Sequence, residues 1–428
     1  MMAVVRKGKG FKGEIKIPGD KSISHRALLI ASLASGKTEI ENLLPAKDCL
    51  ATVSCLRKMG VEIEMSGGRV KVGGKGLFGF EEPREVLDAE NSGTTARLLL
   101  GILVGQGFFS VLTGDSSLRK RPMGRVVDPL RRMGAQIDGR EGGDKLPLGI
   151  RGGDLKGVRY RLPLPSAQVK SALILAGLLS DGMTEIEEPI PSRDHTERML
   201  KYFGADIERR NEVISVLGKR GFSAQRVVVP GDFSSASFFI TAALLVEGSE
   251  VVLPDVGVNP TRIGFLKVVE RMGARIALSE ERTVSGEPVA TISVSTSPLR
   301  GVKIEKEEVP TLIDEIPLVA LLATQAKGRT VISGASELRV KESDRLSALV
   351  FNLRRIGVEL EERDDGFIVE GPQRLNGGSV RSFGDHRIAM TLAIGGLIAE
   401  GETEIEGFEC YKISFPNFYS LLKGWEDG

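Results

Sequence analysis

Apolar and polar positions follow one pattern that recurs along the whole chain. An apolar helix ends at a glycine, a strand with alternating polarity follows, and a polar loop leads to the next helix. Successive glycines of this pattern lie 66 to 80 residues apart, and they are Gly36, Gly107, Gly182, Gly248, Gly328 and Gly401. Self-similarity at a nearly constant period predicts that the chain is built from copies of one supersecondary unit.

A second helix pattern lies between successive copies of the first. It reads LRKMG from Leu56, LRRMG from Leu130, LKYFG from Leu200, VERMG from Val269 and LRRIG from Leu353. Each copy is a helix that ends at a glycine, and an alternating strand follows it. The pattern therefore predicts an α/β fold made of six βαβαββ units, with the last unit truncated near Trp425.

The chain is too long for one ordinary core, because 428 residues suit two domains of about 200 residues each. A further repeated motif marks the boundary between the domains, since IKIPGDKS from Ile15 resembles VVVPGDFS from Val227. We expect residues 20–230 to form the first lobe, and residues 1–19 with 231–428 to form the second. The chain then crosses between the lobes twice, near Gly19-Asp20 and Gly231-Asp232, and two such connections favour a cleft that closes on a ligand. The alternative is six structural repeats without a closing motion.

The composition indicates a soluble globular protein, with 41% hydrophobic and 27% charged residues. The net charge of +1 favours neither nucleic acid nor an acidic membrane as a partner. The three cysteines form no C-x-x-C pair, so a reducing compartment is expected. No apolar run reaches the length of a membrane span, and the basic first ten residues lead into a strand rather than a signal sequence. We expect a cytoplasmic protein.

A short apolar strand is predicted at 15–17. The segment after Pro18-Gly19, which follows it, marks a helix start that is suited to an anion. Asp20 and Ser22 are good N-cap residues, and Lys21 and Arg26 fall in the first turns of the helix. Free N–H groups, the positive end of the helix and two cations together favour a phosphate or a carboxylate. The alternative is an ordinary capped helix with surface cations.

The anion-site interpretation is favoured because the chain contains several helix starts of this type. Similar helix starts are NSGTTAR from Asn91, PSAQVKS from Pro165, PSRDHTER from Pro191, VKESDR from Val340 and FGDHR from Phe383, and the loop LRKRPMGR from Leu118 carries four cations. In a chain of net charge +1, these local cations predict a small ligand with several negative groups. The alternatives for the loop are a solvated surface and a weak nucleic-acid patch, which the low aromatic content disfavours.

The first candidates for catalysis are two carboxylates within an apolar stretch of the sequence. Asp314 and Glu315 lie within VPTLIDEIPL, where an apolar surrounding can tune a general base. Lys341 and Glu342 form a second acid–base candidate. The alternatives are a helix N-cap pair and a helix-start salt bridge, respectively. No cluster has metal-ligand spacing, and no phosphate-binding glycine loop follows a strand, so no metal, nucleotide or nicotinamide is indicated.

These motifs together resemble one family, 5-enolpyruvylshikimate-3-phosphate synthase. The resemblance covers essentially the whole chain and rests on GDKSISHRA, NSGTTAR, LTGDSSLRKRPM, RVKESDR and FGDHRIAM, in this order. It implies two lobes, each of three βαβαββ repeats with inward-packed helices, an inside-out α/β barrel. It also implies an active site in the cleft between the lobes, with shikimate 3-phosphate on the first lobe and the phosphoenolpyruvate site completed by the second.

The resemblance implies a role for individual residues. Those for catalysis are Asp314, Glu342 and Lys21. Those for binding shikimate 3-phosphate are Lys21, Ser22, Arg26, Ser166, Gln168, Arg193, Asp314 and Lys341. Those for binding phosphoenolpyruvate are Lys21, Gly93, Arg121, Gln168, Arg345 and Arg387. The implied reaction needs no metal or organic cofactor, and we expect a monomer with small-molecule substrates as its partners.

The chain departs from the family pattern at two places. Many members have a second serine where Ala167 stands, and many have a lysine where Ile413 stands, one residue after Lys412. One hydroxyl contact to phosphate and the role of Lys412 therefore stay open.

Two other functions are considered. The sister transferase that acts on UDP-N-acetylglucosamine has Lys-Asn where this chain has Lys21-Ser22, and it has a loop cysteine that Leu112–Arg125 lacks. A non-catalytic binder of phosphorylated metabolites needs the arginines but not Asp314 and Glu342. The presence of both carboxylates disfavours it.

Overall fold

A computed structural model describes residues 2–427, which form two compact units with separate hydrophobic cores. The N-terminal unit comprises Gly19–Val229 and Thr283–Glu287. The C-terminal unit comprises Met1–Pro18, Pro230–Arg282 and Pro288–Gly428. No sequence pattern predicted that the short segment Thr283–Glu287 groups with the N-terminal unit. No helix within residues 2–427 has both the length and the apolar character needed to cross a bilayer.

The described chain contains helices and strands with the following bounds. The helices are α1 (Lys21–Leu33), α2 (Lys47–Lys58), α3 (Gly93–Leu103), α4 (Gly124–Arg132), α5 (Ala167–Leu179), α6 (His195–Tyr202), α7 (Phe233–Leu245), α8 (Gly264–Arg271), α9 (Ile316–Gln325), α10 (Arg345–Arg355), α11 (His386–Gly396) and α12 (Phe418–Asp427). The strands are β1 (Met2–Val5), β2 (Lys12–Glu14), β3 (Ser35–Glu41), β4 (Ile63–Ser66), β5 (Arg69–Lys75), β6 (Leu87–Asp88), β7 (Phe109–Thr113), β8 (Gln136–Arg140), β9 (Lys145–Arg151), β10 (Arg159–Arg161), β11 (Met183–Glu187), β12 (Ile207–Arg210), β13 (Val213–Leu217), β14 (Val227–Val228), β15 (Glu250–Gly257), β16 (Arg275–Val284), β17 (Glu287–Ser295), β18 (Lys303–Ile304), β19 (Gly328–Ile332), β20 (Leu360–Arg363), β21 (Gly366–Gly371), β22 (Asn376–Arg381) and β23 (Glu400–Glu406).

The N-terminal unit contains three sheets with the same strand order. They are β14-β3-β5-β4, β6-β7-β9-β8 and β10-β11-β13-β12. In each sheet the first pair is parallel and the other two pairs are antiparallel. A parallel pair needs a crossover connection, and a helix supplies it, whereas the antiparallel strands close as a hairpin. The predicted βαβαββ repeat is confirmed.

The C-terminal unit repeats this plan with one shortened member. Its sheets are β16-β17-β15-β2, β18-β19-β21-β20 and β1-β23-β22. Within the described chain, the last sheet has three strands. The other repeats have a two-stranded hairpin at this place, whereas here the single strand β1 pairs antiparallel with β23. Helix α12 follows this repeat, and its buried Trp425 stacks on Phe11 with 5.3 Å between ring centroids.

Two strands are exchanged relative to the sequence order. Strand β2 precedes α1 in the chain but pairs with β15, and β14 precedes α7 but pairs with β3. The predicted strand at 15–17 is thus replaced by β2, and only the N–H of Ile15 continues the ladder, by donating to the carbonyl of Val252 at 2.9 Å. The pairing stops there because β15 contains Pro254 and its register shifts after Leu253.

Six helices lie inside the units, with the sheets outside them. Helices α1, α3, α5, α7, α9 and α11 are buried along nearly their whole length. A helix that is apolar on all sides is typical of a core position. The strands instead alternate between buried residues and residues that are partly or fully exposed, as in β11 and β13. The implied arrangement of inward helices and outward sheets is confirmed.

We predict that Gly204→Ala lowers the free energy of unfolding by about 1–2 kcal/mol. Gly204 follows α6 with a φ of +82°, and a Cβ there meets no atom within 4 Å, so the cost comes from the backbone alone. Urea unfolding measures it. Gly221→Ala is the matched control, because that site is equally open and its φ is not positive. Equal stabilities of the two variants would contradict the backbone explanation.

Candidate active site

The start of α1 places a lysine beside an acid of α2. The Asp20 side chain accepts the N–H of Ile23 at 2.8 Å, which caps the helix and fixes its first turn. In that turn, Lys21 Nζ lies 3.2 Å from Asp48 Oδ2, and both side chains are largely shielded from water. The Lys21 ammonium is therefore directed by a carboxylate, while Ser22 beside it stays partly exposed.

One turn later, Arg26 is buried and bonded to neutral oxygens. Its guanidinium donates to Thr196 Oγ1 at 2.7 Å, to Ser171 Oγ at 2.9 Å and to the carbonyl of Ser22 at 3.0 Å. Burial lowers the pKa of Arg26 to about 10, and the charge of Glu197 opposes this shift. Arg26 thus remains a cation at neutral pH, and the three acceptors do not cancel its charge.

Helices α3 and α5 are joined by a relay of three polar side chains. Arg97 Nη1 donates to Gln168 Oε1 at 2.6 Å, and Gln168 Nε2 donates to Thr94 Oγ1 at 3.1 Å. Ser92 caps α3 by accepting the N–H of Thr95 at 3.1 Å. The relay fixes the predicted ligand Gln168. Arg97 was not singled out from the sequence, although it stands one turn after its helix start, as Arg26 does.

Gly93 lets two guanidiniums approach the first turn of α3. A Cβ at this position would lie 3.0 Å from Arg97 Nη1 and 3.4 Å from Arg121 Nη1. Arg121 also donates from Nη2 to Asn91 Oδ1 at 2.7 Å, so its side chain is held against the loop before α3. The residue type at 93 therefore sets how closely two cations flank one helix start.

The remaining predicted residues of the N-terminal unit are partly exposed. Ser166 caps α5, since its Oγ accepts the N–H of Val169 at 3.4 Å. Arg193 lies between β11 and α6, close to the buried Ser192. Both side chains keep access to a ligand.

In the C-terminal unit, Arg345 is surrounded by carboxylates. Its Nε donates to Asp385 Oδ2 at 2.7 Å, its Nη1 lies 3.3 Å from Asp314 Oδ1, and its Nη2 contacts Glu342. Only 1% of the Arg345 side chain is exposed. Burial opposes the charged form, but these carboxylates outweigh it and raise the pKa of Arg345. This permanently charged group orders both predicted catalytic carboxylates.

Arg387 contacts the same aspartate from the start of α11. Its Nη2 lies 3.5 Å from Asp314 Oδ2, and its Nη1 lies 3.5 Å from the Asp314 carbonyl oxygen. Asp385 caps this helix by accepting the N–H of Arg387 at 2.9 Å, while its other oxygen binds Arg345. One buried aspartate therefore holds both predicted phosphoenolpyruvate arginines. The sequence motif contained Asp385, but its pattern indicated only a cap.

Glu315, the second candidate base from the sequence, is closed to a substrate. Its side chain has no exposed surface, and its oxygens lie 3.0 and 3.1 Å from Arg262 Nη1. Ser234 Oγ donates to the same carboxylate. Asp314 retains 12% exposure, so of the two neighbours only Asp314 is reachable. The pattern could not separate them, because α9 begins directly after both.

Lys341 is partly buried next to these carboxylates. Burial lowers the pKa of Lys341, Asp314 opposes the shift, and the nearby Arg345 adds to it. A lowered pKa makes the ammonium a better proton donor than a surface lysine. In contrast, Lys412 is exposed, with Nζ 6.0 Å from the centre of the Tyr411 ring.

The predicted residues divide between the two units. The N-terminal unit carries Lys21, Ser22, Arg26, Gly93, Arg121, Ser166, Gln168 and Arg193, and the C-terminal unit carries Asp314, Lys341, Glu342, Arg345 and Arg387. Within residues 2–427, no group of three His, Cys, Asp or Glu side chains is arranged to hold a metal ion.

Comparison with known sequences identifies similar proteins over the whole chain. A family model described as EPSP synthase (3-phosphoshikimate 1-carboxyvinyltransferase) matches residues 5–422. The 3-phosphoshikimate 1-carboxyvinyltransferase of Bacillus cytotoxicus is 51% identical over 421 residues, which is 98% of this chain and 99% of the relative. The enzyme of that name from Geobacter metallireducens is 52% identical over 419 residues, which is 98% of each chain.

Solved structures agree with this result. EPSP synthase from Acinetobacter baumannii superposes with a TM-score of 0.90 at 43% identity, over 99% of this chain and 98% of that one. The enolpyruvyl transferase NikO from Streptomyces tendae has a TM-score of 0.81 over 99% of this chain and 97% of its own. At 19% identity, the second match shows a likeness of fold alone.

We predict that Glu315→Ala destabilises the protein by about 3–5 kcal/mol, because it leaves the buried Arg262 guanidinium without its carboxylate. Thermal and urea unfolding measure the change. Glu308→Ala is the matched control, since Glu308 pairs at 2.8 Å with Arg271 but both side chains are partly exposed. We expect the control to cost below about 1 kcal/mol. Similar losses in the two variants would show that burial does not decide the cost.

Proposed function

The chain belongs to the EPSP synthase (3-phosphoshikimate 1-carboxyvinyltransferase) family, and from this premise we propose how its residues perform the family's reaction. The reaction moves the enolpyruvyl group of phosphoenolpyruvate to the 5-hydroxyl of shikimate 3-phosphate and releases phosphate. It belongs to the shikimate pathway, which supplies aromatic amino acids.

One observation carries the assignment of roles. The carboxylates of Asp314 and Glu342 both contact the buried guanidinium of Arg345 at the starts of α9 and α10. Two acids fixed next to a permanent cation can divide the two proton transfers that the reaction needs. A protein that only binds phosphorylated metabolites has no use for this pair.

Cations of both units hold the two substrates, each of which carries a phosphate and a carboxylate. Lys21, Ser22 and Arg26 at α1, Ser166 and Gln168 at α5, and Arg193 bind shikimate 3-phosphate. Arg121 and the open backbone at Gly93 bind the phosphate of phosphoenolpyruvate, and Arg345 with Arg387 binds its carboxylate. Fixed positive groups of this kind orient both substrates and stabilise the negative charge of the transition state.

The addition step then follows from the two carboxylates. Asp314 takes the proton of the 5-hydroxyl, with the Lys21 ammonium stabilising the oxygen, and the oxygen bonds to C2 of phosphoenolpyruvate. Glu342, which is protonated once phosphoenolpyruvate has displaced it from Arg345, gives its proton to the methylene carbon C3, which yields a tetrahedral adduct. In the elimination step, C3 returns a proton to Glu342, the C2–O bond to phosphate breaks, and phosphate leaves with the proton that Asp314 took. Lys341 lies beside Asp314 and binds near the shikimate ring.

Arg345 must exchange a partner to bind an anion, because its three nitrogen atoms each contact a carboxylate. Asp385 is fully buried and is fixed by the cap of α11, so it cannot leave. Glu342 is the most exposed of the three partners, with 24% of its side chain accessible. Phosphoenolpyruvate therefore displaces Glu342, which frees this acid to reach the methylene carbon.

The two units act together on one pair of substrates, in a cleft between lobes 20–230 and 1–19 with 231–428. The residues that hold shikimate 3-phosphate lie mainly on one unit, and the second proton donor lies on the other. The two connections near Gly19 and Gly231 allow the lobes to close on the ligands. Since one chain carries every proposed residue, the enzyme acts as a monomer, and its metabolites place it in the cytoplasm.

We predict that Asp314→Ala and Glu342→Ala each lower phosphate release from the two substrates by at least about a hundredfold, since each removes one proton-transfer group. A coupled phosphate assay measures this rate. Glu307→Ala, which changes an exposed carboxylate of the same unit, is the control and keeps the wild-type rate.

Calorimetric titration with shikimate 3-phosphate alone shows whether the two inactive variants still bind this substrate. Full activity in both variants would refute the assigned roles. Release of phosphate with UDP-N-acetylglucosamine in place of shikimate 3-phosphate would refute the substrate.

We predict that both substrates together reduce the radius of gyration of the Glu342→Ala variant, which keeps the proposed binding residues and turns the substrates over at least about a hundredfold more slowly. Small-angle scattering measures the radius with neither, one or both substrates. Inorganic phosphate at equal ionic strength is the control for a general salt effect. An unchanged radius with both substrates would contradict closure.

A further inference from the structure

An ionic cluster with a fully buried centre lies next to the proposed phosphate-binding residues of the N-terminal unit. Lys170 on α5 is its centre, and its Nζ lies 2.8 Å from Glu197 Oε1, 3.0 Å from both oxygens of Glu188 and 3.1 Å from the carbonyl oxygen of Ser192. Arg209 completes it, with Nη1 2.9 Å from Glu188 Oε2. We name Lys170, Glu188, Glu197 and Arg209 the Lys170 cluster.

The ammonium group contacts three residues at once. Its Nζ donates to Glu188 Oε2 and to the carbonyl of Ser192, and it forms an ion pair with Glu197. Glu188 and Ser192 both lie in the connection between β11 and α6, and Glu197 lies on α6. The Lys170 side chain has no exposed surface. It therefore connects the first turn of α5 with this connection and with α6.

These segments are the ones that carry the proposed shikimate 3-phosphate residues. Lys170 lies in the first turn of α5, where its N–H donates to the carbonyl of Ser166 at 3.0 Å. The loop that Lys170 and Glu188 fix at Ser192 continues directly into Arg193. Neighbouring residues Ser171 and Thr196 are the two hydroxyl partners of Arg26.

Stability alone is a weak reason for such a cluster. Removing two charges from water costs several kcal/mol per ion, and replacing a buried ion pair by apolar groups is often neutral or stabilising. Burial raises the pKa of Glu197, and Lys170 opposes this shift. The cost of burying the Glu197 charge therefore offsets part of its attraction to Lys170. What an ionic centre provides and an apolar one does not is a fixed direction for each partner.

We propose that Lys170 is a positioning residue for the phosphate of shikimate 3-phosphate. It does not touch the substrate, but it sets the distances between Ser166, Arg193 and Arg26 through the Lys170 cluster. This inference rests on the proposed function. It adds that affinity for the phosphate group depends on a buried cation that the substrate never meets.

The test compares a ligand with phosphate and one without it. The double variant Lys170→Met, Glu197→Gln removes one charge of each sign, so it leaves the cluster neutral and close in volume. We expect the affinity for shikimate 3-phosphate, relative to shikimate, to fall by at least about tenfold, since misplacement by a fraction of an ångström weakens oriented contacts. Calorimetric and competition titrations measure both affinities, and the melting temperature shows whether the fold is retained.

Lys219→Met is the matched control, because Lys219 pairs at 2.6 Å with Asp181 beyond the opposite end of α5 and is exposed. It keeps the wild-type ratio. Arg209→Gln alters the cluster at its exposed edge and lowers the ratio less than the double variant does. If the double variant does not fold, the Arg209→Gln ratio decides alone.

A wild-type ratio in the folded cluster variants overturns the positioning role. A wild-type protein that does not bind shikimate 3-phosphate overturns the proposed function instead. A parallel loss of both affinities, with the ratio kept, assigns the cluster to stability.

Discussion

A buried guanidinium must direct its N–H groups at acceptors, and this requirement organises both halves of the protein. The two units meet it in different ways. Arg26 is satisfied by the hydroxyls of Thr196 and Ser171 and by a carbonyl, so its charge is not cancelled by its hydrogen-bond partners. Arg345 is satisfied by three carboxylates. Around Arg26, neutral acceptors leave a positive potential that attracts phosphate. Around Arg345, the acceptors are carboxylates, which are thereby fixed in place next to a cation.

The fold supplies the positions at which this difference acts. Because α1, α3 and α5 are buried inside one unit and α7, α9 and α11 inside the other, polar groups concentrate at the helix starts. Capping acids such as Asp20 and Asp385 satisfy the first N–H groups, and the cations stand within the next turn. Strands β2 and β14 are exchanged where the chain passes between the two similar units, near Pro18 and Pro230, and the chain passes between them twice more at the ends of Thr283–Glu287.

Much of this was predictable from local patterns. The repeat, the βαβαββ succession of its elements and the inward helices follow from periodicity, helix-ending glycines and motif resemblance, because these signals lie within one element or its neighbour. The exchanged strand was misplaced by three residues, since the pairing of β2 depends on a bend in β15. The choice between Asp314 and Glu315 also needed coordinates, because Arg262 comes from a segment more than fifty residues away.

The sequence by itself determined the unit of the fold, the helix starts and the family, because spacing and side-chain chemistry are properties of short stretches of chain. Only the tertiary structure decided which acids are reachable, which arginine is enclosed by carboxylates, and that Lys170 joins α5 to α6 and to the connection before it. Burial and pairing depend on residues that meet after folding, and a charge that is ordinary on a surface acquires its role only when its partners surround it.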